Sequence, residues 1–255
     1  MTKPLKIWLE SEGRLLRLRL SRPKANLIDA SMIEALDGAL VEHLGNAEIT
    51  AILLDAEGPH FSFGASVEEH MPAQCAAMLR GLHRLIVRLA ESPVPVLVAI
   101  RGQCLGGGLE LALAGHLVFA TPDSSLGQPE MKLGVLAPAA SCLLPELIGP
   151  SRAIDLLLSG RTISGAEAAR IGMVYDAAVD PERAALAYFE EFLQPKSASS
   201  LRYAVRAARS DFAARVKAKI ETVERIYLDE LMHTHDAVEG LEAFLGKRAV
   251  QWQHR

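Results

Sequence analysis

Cysteine is scarce in this 255-residue chain: there are three, Cys75, Cys104 and Cys142. An odd, sparse set does not make a secreted disulfide framework and points to a reducing, cytoplasmic setting. Aromatic residues make up only 5% of the chain, so the core must be built mainly from Leu, Ala, Val and Ile. Positive charge is not in excess, with 27 Lys and Arg against 31 Asp and Glu for a net charge of −4. No global basic field attracts nucleic acid, and no aromatic platform stacks single-stranded bases. Long apolar runs are missing too, because Arg101, Glu110 and His116 interrupt the longest stretches, and no membrane span is expected. The first residues, MTKPLKIWLESEG, hold no apolar signal core.

What remains is the composition of a soluble globular protein, 50% hydrophobic and 23% charged. Residues 5–20 read as two strands around a turn at Glu10–Gly13. Leu16, Leu18 and Leu20 alternate with Arg17 and Arg19, the period of a half-buried strand. Ser31–Leu44 reads as a helix opened by a capping box, Ser31 with Glu34. A short strand follows at Ala51–Leu54, and Gly58–Met71 reads as a loop. Residues 73–91 form an amphipathic helix with Met78, Leu82, Leu85, Ile86 and Leu89 along one side. Pro93 and Pro95 end it and lead into a strand at Val96–Ile100. A glycine-rich turn, an apolar helix from Gly107 to Gly115 and a strand at Leu117–Ala120 come next. This alternation indicates an α/β fold. A second capping box, Ser164 with Glu167, opens a short helix. From residue 196 the strand signal stops and three helical stretches follow, which divides the chain into a core, 1–195, and a helical region, 196–255. Arg202, Arg206 and Arg209 make a basic face there. Ile220, Val223, Ile226, Tyr227 and Leu231 make an apolar one, suited equally to an oligomer contact or to the chain's own core.

The chemistry concentrates in Arg101–Glu110, RGQCLGGGLE. Three glycines at a strand-to-helix junction let a ligand approach the backbone. The first N–H groups of the helix lack internal partners and suit a developing oxyanion. A tight turn packing helix on sheet accounts for the same glycines. Glu110 is the only formally charged residue from Cys104 to Phe119, among Leu109, Leu111 and Leu113. A carboxylate so placed is costly unless paired and is a candidate for a raised pKa, unless the helix turns it to solvent. Glu130 lies in LGQPEMKLG, beside Gly127 and Pro129. Two carboxylates next to glycine-rich backbone can share acid and base work; alone, Glu130 would be a solvated loop residue. Phe63-Gly64-Ala65-Ser66 is the other loop whose amides could face a ligand. It is not a nucleophile elbow, since position 68 is Glu. No phosphate-binding loop or dinucleotide fingerprint is present. His233 and His235 lack the context of a metal site, so no metal is expected.

Taken in order, these segments resemble the crotonase, or enoyl-CoA hydratase, superfamily. The motifs are RPKAN at Arg22–Asn26, FSFGASVEE at Phe61–Glu69 and GQCLGGGLELALAG at Gly102–Gly115. FATPDSSLGQPEMKLG at Phe119–Gly134 and LLLSGRTISGAEAARIGMV at Leu156–Val174 continue the series. The resemblance spans nearly the whole chain. It implies a spiral of ββα units with a C-terminal helical region that builds trimers, often paired into hexamers. It implies an acyl-CoA thioester as substrate, with CoA as part of the substrate and no separate cofactor. The oxyanion amides map onto Ala65 and Gly107, and the two hydratase glutamates onto Glu110 and Glu130. CoA contacts map onto Lys24, which would meet a phosphate, and onto Ala25, Phe63, Ala65, Ser66 and Val67.

Three departures stand out. The first motif is one residue shorter than K-A-x-N, which leaves Asn26 unmatched. Ser66 replaces a common Asp. The usual P-G-x-G-G is replaced by Ala137-Pro138-Ala139-Ala140-Ser141. In the family that segment lines the acyl end of the pocket, so the resemblance puts Pro138 beside the acyl group and argues against a straight-chain substrate. Both glutamates together imply addition or removal of water rather than isomerisation. The remaining alternatives are an ordinary short-chain hydratase, an isomerase or ring-cleaving relative on the same fold, and a non-enzymatic acyl-CoA- or RNA-binding subunit.

Overall fold

The structure, a computed structural model, describes residues 3–255. Strand β1 (Leu5–Glu10) turns through a short 3₁₀ segment into β2 (Leu15–Leu20), and the two pair antiparallel with Leu5 opposite Leu20. Helix α1 (Ala30–His43) follows, then β3 (Ala51–Ala56), α2 (Cys75–Ala90) and β4 (Val96–Ile100). Next come β5 (Gln103–Leu105), α3 (Gly107–Leu113), β6 (Leu117–Ala120) and β7 (Ser125–Gly127). A large sheet runs in the order β1-β2-β3-β4-β6-β9, parallel from β2 onward, with β9 (Asp176–Ala177) at its edge. A small sheet runs β5-β7-β8, with β8 at Thr162–Ser164.

After the β1–β2 hairpin and α1, the successive turns of the chain take a strand from the large sheet, a strand or bridge on the small-sheet side and then a helix. β4 leads to β5 and α3. β6 leads to β7 and, after a 3₁₀ turn at Pro129–Leu133, to α4 (Pro138–Ile148). β3 leads to Ser62, which bridges in parallel to Cys104 beside β5, and then to α2. This is the expected α/β spiral of ββα units, and it stacks the loops after β3, β5 and β7 on one another.

Both faces of the large sheet are covered from β3 to β6, so these strands are almost wholly apolar. Ile52, Leu54, Val96, Val98 and Leu18 face the main core with α1 and α2. Leu15, Leu53, Leu97 and Phe119 face α7 (Pro181–Tyr188) and the π turn after it. The alternation in β2 is real, but its arginine side is not open to water. Arg17 is only 2% exposed, because α7 and β3 bring Glu182 and Asp55 to it at 2.6 and 2.5 Å. Five alternating residues cannot signal a cover that comes from residue 182.

Helix α1 has its N-cap two residues earlier than its capping box suggests. Asp29 is the N-cap and accepts from Met32 N at 2.9 Å, while Ser31 Oγ donates to Asp29. The second box is in place, with Ser164 accepting from Glu167 N ahead of α6 (Gly165–Arg170). Beyond α5 (Pro150–Ser159), α6 and α7, the helical region holds fewer breaks than three stretches require. Its first two form one helix, α8 (Ala198–Arg225), which passes through a π turn (Ile226–Glu230) and a 3₁₀ turn to α9 (His235–Leu245). Ile220, Tyr227 and Leu241 lie in the main core, and Val223 and Leu231 pack against it. The basic face is not a field for ligands. Arg202 donates to Leu44 O at the end of α1, and Arg209 to Ala114 O and Gly115 O at the end of α3. Among the described residues no helix is long and apolar enough to cross a membrane.

Candidate active site

The spiral brings two backbone segments face to face. One is the Phe61–Ala65 loop after β3, and the other is the turn from β5 into α3. A Cβ added to Gly107 would stand 3.0 Å from Ala65 Cβ and 3.2 Å from Ala65 N, so a side chain at 107 would press the two segments apart, and glycine suits this close approach. The neighbouring amides are taken: Gly64 N donates to Ser62 Oγ at 3.1 Å and Gly106 N to Gly127 O at 3.0 Å. Among the described residues no such acceptor takes the Ala65 or Gly107 amide. The loop itself is pinned by Asn26, which has no place in the resemblance. Buried and at φ +44°, it donates through Nδ2 to Glu57 O and His60 O and accepts from Arg22 N. Its carbonyl receives Ser62 Oγ at 2.8 Å. Ile28 N donates to Gly64 O, and Phe63 N to Ala25 O.

Glu110 is in the first turn of α3 and only 2% exposed, which rules out an outward-facing helix residue. Its Oε1 accepts from Ala140 N at 2.8 Å, in the first turn of α4. That turn is the Ala137–Ser141 segment, with Pro138 at its first position, where a missing N–H is harmless. Burial pushes the Glu110 carboxyl above its ordinary value, and the Ala140 amide only partly offsets this. Glu130 is not a solvated loop residue either. It sits on the 3₁₀ turn after β7, and a Cβ at Gly106 would run into its Oε1. Gly106 has φ +49°, so glycine there serves both the turn and the carboxylate. Burial first, and then the charge of Glu110, push the Glu130 carboxyl up. The two groups therefore feel each other and titrate as a pair.

A cavity of about 60 Å³ opens between Phe63, Gly64, Ala65, His70, Gly106 and Glu130, enough for ordered water. Lys24 is exposed, Ala25 and Ser66 are half-buried, and neither these three nor Pro138 borders the cavity. Val67 borders it and leads into a 3₁₀ turn, Glu68–His70. Two larger surface hollows, of about 710 and 600 Å³, are lined by Lys3, Lys6 and Glu57 and by Glu34, Asp37 and Arg84. Neither has a buried carboxylate pair, so size does not mark the reactive place.

Two residues escaped sequence reasoning. Gln128, buried, turns its amide nitrogen to Glu130 and donates to both carboxylate oxygens at 3.2 and 3.1 Å; its place two residues before Glu130 was the available signal. His70 lines the cavity, and its Nδ1 meets Ser66 O at 2.8 Å. Burial lowers its pKa, so it is a neutral imidazole with N–H on Nδ1 and a lone pair on Nε2. Nothing in its local sequence distinguishes it from a surface histidine. Among the described residues no three His, Cys, Asp or Glu side chains are grouped to hold a metal ion.

The enoyl-CoA hydratase/isomerase family profile matches residues 10–255. A cyclohexa-1,5-dienecarbonyl-CoA hydratase from Thauera aromatica is 63% identical over 254 residues, covering 100% of this chain and 98% of the relative. The crystal structure of an enoyl-CoA hydratase/isomerase from Pseudoalteromonas atlantica T6c superposes with a TM-score of 0.84 at 26% identity, covering 98% and 100% of the two chains. An enoyl-CoA hydratase from Mycobacterium avium subsp. paratuberculosis K-10 gives 0.85 at 22% identity, covering 98% of each, which speaks to the fold alone. The spiral, the paired glutamates and these likenesses agree, and the chain belongs to the enoyl-CoA hydratase/isomerase family.

Proposed function

We propose that the protein is a hydro-lyase that adds water to cyclohexa-1,5-diene-1-carbonyl-CoA and yields 6-hydroxycyclohex-1-ene-1-carbonyl-CoA, a step of anaerobic benzoyl-CoA breakdown. The reaction type rests on one observation above all: Glu110, buried, and Glu130, half-buried, are both raised and electrostatically coupled beside the Ala65–Gly107 junction. The substrate follows the Thauera aromatica relative at 63% identity.

In this reading water attacks the ring carbon β to the thioester, and one carboxylate takes its proton. Negative charge moves through the ring to the thioester oxygen, where the Ala65 and Gly107 amides receive it. Losing one such donor costs about 2.7–4 kcal/mol of barrier. The dienolate then takes a proton at the far end of the conjugated system, and the remaining double bond ends between the thioester-bearing carbon and its ring neighbour. One water is consumed, and the carboxylate pair ends with the proton count it began with. A pair that shares one proton at neutral pH supplies both the base and the acid.

Lys24, exposed at the surface, meets a CoA phosphate. Ala25, Phe63, Ser66 and Val67 follow the pantetheine towards Ala65, and Pro138 borders the acyl group. No metal or cofactor beyond the substrate's CoA is required. Residues 1–195 form the catalytic spiral, and 196–255 form the helical region of a cytoplasmic homotrimer or hexamer. Exposed apolar residues on α5 and α9, namely Ile154, Leu158, Phe244 and Leu245, supply surface for that association.

The test is a parallel absorbance assay of the purified protein with cyclohexa-1,5-diene-1-carbonyl-CoA and crotonyl-CoA, with products identified by mass spectrometry. Hydration of the diene with little action on crotonyl-CoA is expected. The opposite preference would make this a straight-chain hydratase and remove the role given to Ala137–Ser141.

A further inference from the structure

Tyr227 is fully buried, at 0% exposure, and its hydroxyl has no hydrogen-bond partner. Ordinary core packing does not explain that oxygen, because phenylalanine would fill the same space without stranding a polar group. The residue lies on the π turn Ile226–Glu230 between α8 and α9, and such turns recur at functional positions. Its ring centroid is 6.5 Å from that of His70, which lines the cavity beside Ala65 and Glu130. Leu241, on the next helix, borders the same cavity. Burial, with Cys75, Glu130 and Glu110 close enough to add to it, holds the phenol above its ordinary range. It therefore remains a proton-bearing donor.

We propose that the Tyr227 hydroxyl is a further substrate-facing group of the acyl pocket, donating its hydrogen bond to the oxygen that hydration adds: the water before attack and the product hydroxyl after it. It rests on the hydratase reading above. The geometry suits a division of labour. The water has two lone pairs; one attacks carbon and the other accepts from Tyr227, while the carboxylates take its proton. The phenol itself transfers no proton. The C-terminal helical region thereby adds a polar side chain to the apolar Leu241 that it already places at the cavity.

The test is Tyr227→Phe in the full-length protein, assayed with both the cyclic dienoyl-CoA and crotonyl-CoA alongside the melting temperature. A fall in kcat of about 10- to 100-fold is expected, with KM for the thioester and the melting temperature little changed. Unaltered kcat on the thioester that the wild type hydrates overturns the inference. So does a loss of rate that follows a loss of melting temperature, which would mark a packing role. A wild type that hydrates crotonyl-CoA but not the diene overturns the proposed substrate instead, and the Tyr227 comparison is then read on crotonyl-CoA.

Discussion

Glu110 and Glu130 carry the same side chain into different surroundings, and the differences suit them to different parts of one reaction. Glu110 is held by a fixed amide, Ala140 N, from a helix that arrives thirty residues later. Glu130 lies against Gly106 and takes the amide nitrogen of Gln128. Either carboxylate is expensive to bury ionised, and their proximity makes two charges worse than one. Replacing either with glutamine keeps the size and removes the titration. Glu110→Gln and Glu130→Gln are each expected to lower kcat by about 10²- to 10⁴-fold. Binding of the CoA thioester, followed by calorimetry with an unreactive analogue, should stay within a few-fold of wild type. Near-normal turnover in both variants would dismantle the two-carboxylate mechanism.

At the scale of the element, α3 is seven residues long and holds Glu110 near its start. A helix this short has almost no stability of its own, so its ends must be held from outside. Arg209 of α8 does this, donating to Ala114 O and Gly115 O at 3.0 and 3.2 Å and stacking its guanidinium 3.9 Å from the Phe212 ring. A cation at those carbonyls satisfies acceptors that the helix leaves open. Arg209→Met keeps much of the packing and deletes the donors. It is expected to cost about 1.5–3 kcal/mol in denaturant unfolding and to lower kcat through movement of Glu110. A variant as stable as the wild type would mean that water serves those carbonyls equally well.

Across the whole molecule, the buried pair sets a pH dependence of stability. Both carboxyls lie above their ordinary value of 4.5 in the folded chain. Below that value folded and unfolded chains are both protonated, and the fold bears no charge penalty. As pH rises above that value, the unfolded chain loses these protons, while the folded chain keeps them until its own raised values are reached. Stability therefore falls, by up to about 1.4 kcal/mol per pH unit for each group still protonated. Glu130→Gln removes one group and relieves the other. Its stability relative to wild type, from unfolding at pH 5 and pH 8, should grow with pH. Parallel curves would show that the pair is ionised in the folded protein. Carboxylates held down by arginines, such as Glu182 between Arg17 and Arg19, act in the acid direction and cancel in this comparison.

The sequence by itself determined β1 to β4, β6 and helices α1 to α3, the three-glycine turn and the odd placement of a lone charge at Glu110. These are carried by local preference and by period: alternation in β2, the helical stripe of α2, Pro93 and Pro95 as stops. The short strands β5, β7, β8 and β9 and helices α4, α5 and α7 carried no signal strong enough to read. The family motifs also named Ala65, Gly107 and Glu130 before any coordinates. Only the tertiary structure decided what surrounds them. Nothing near Arg17 shows that Glu182 will cover it, and nothing near Glu110 shows that Ala140 N will hold it. Arg202 and Arg209 look like part of a charged face until α8 lies across the ends of α1 and α3, and Tyr227 looks like one more apolar position until its ring lies near His70. Burial, and the pKa shifts that follow from it, are sums over neighbours brought in by the fold. No window of local sequence contains those neighbours.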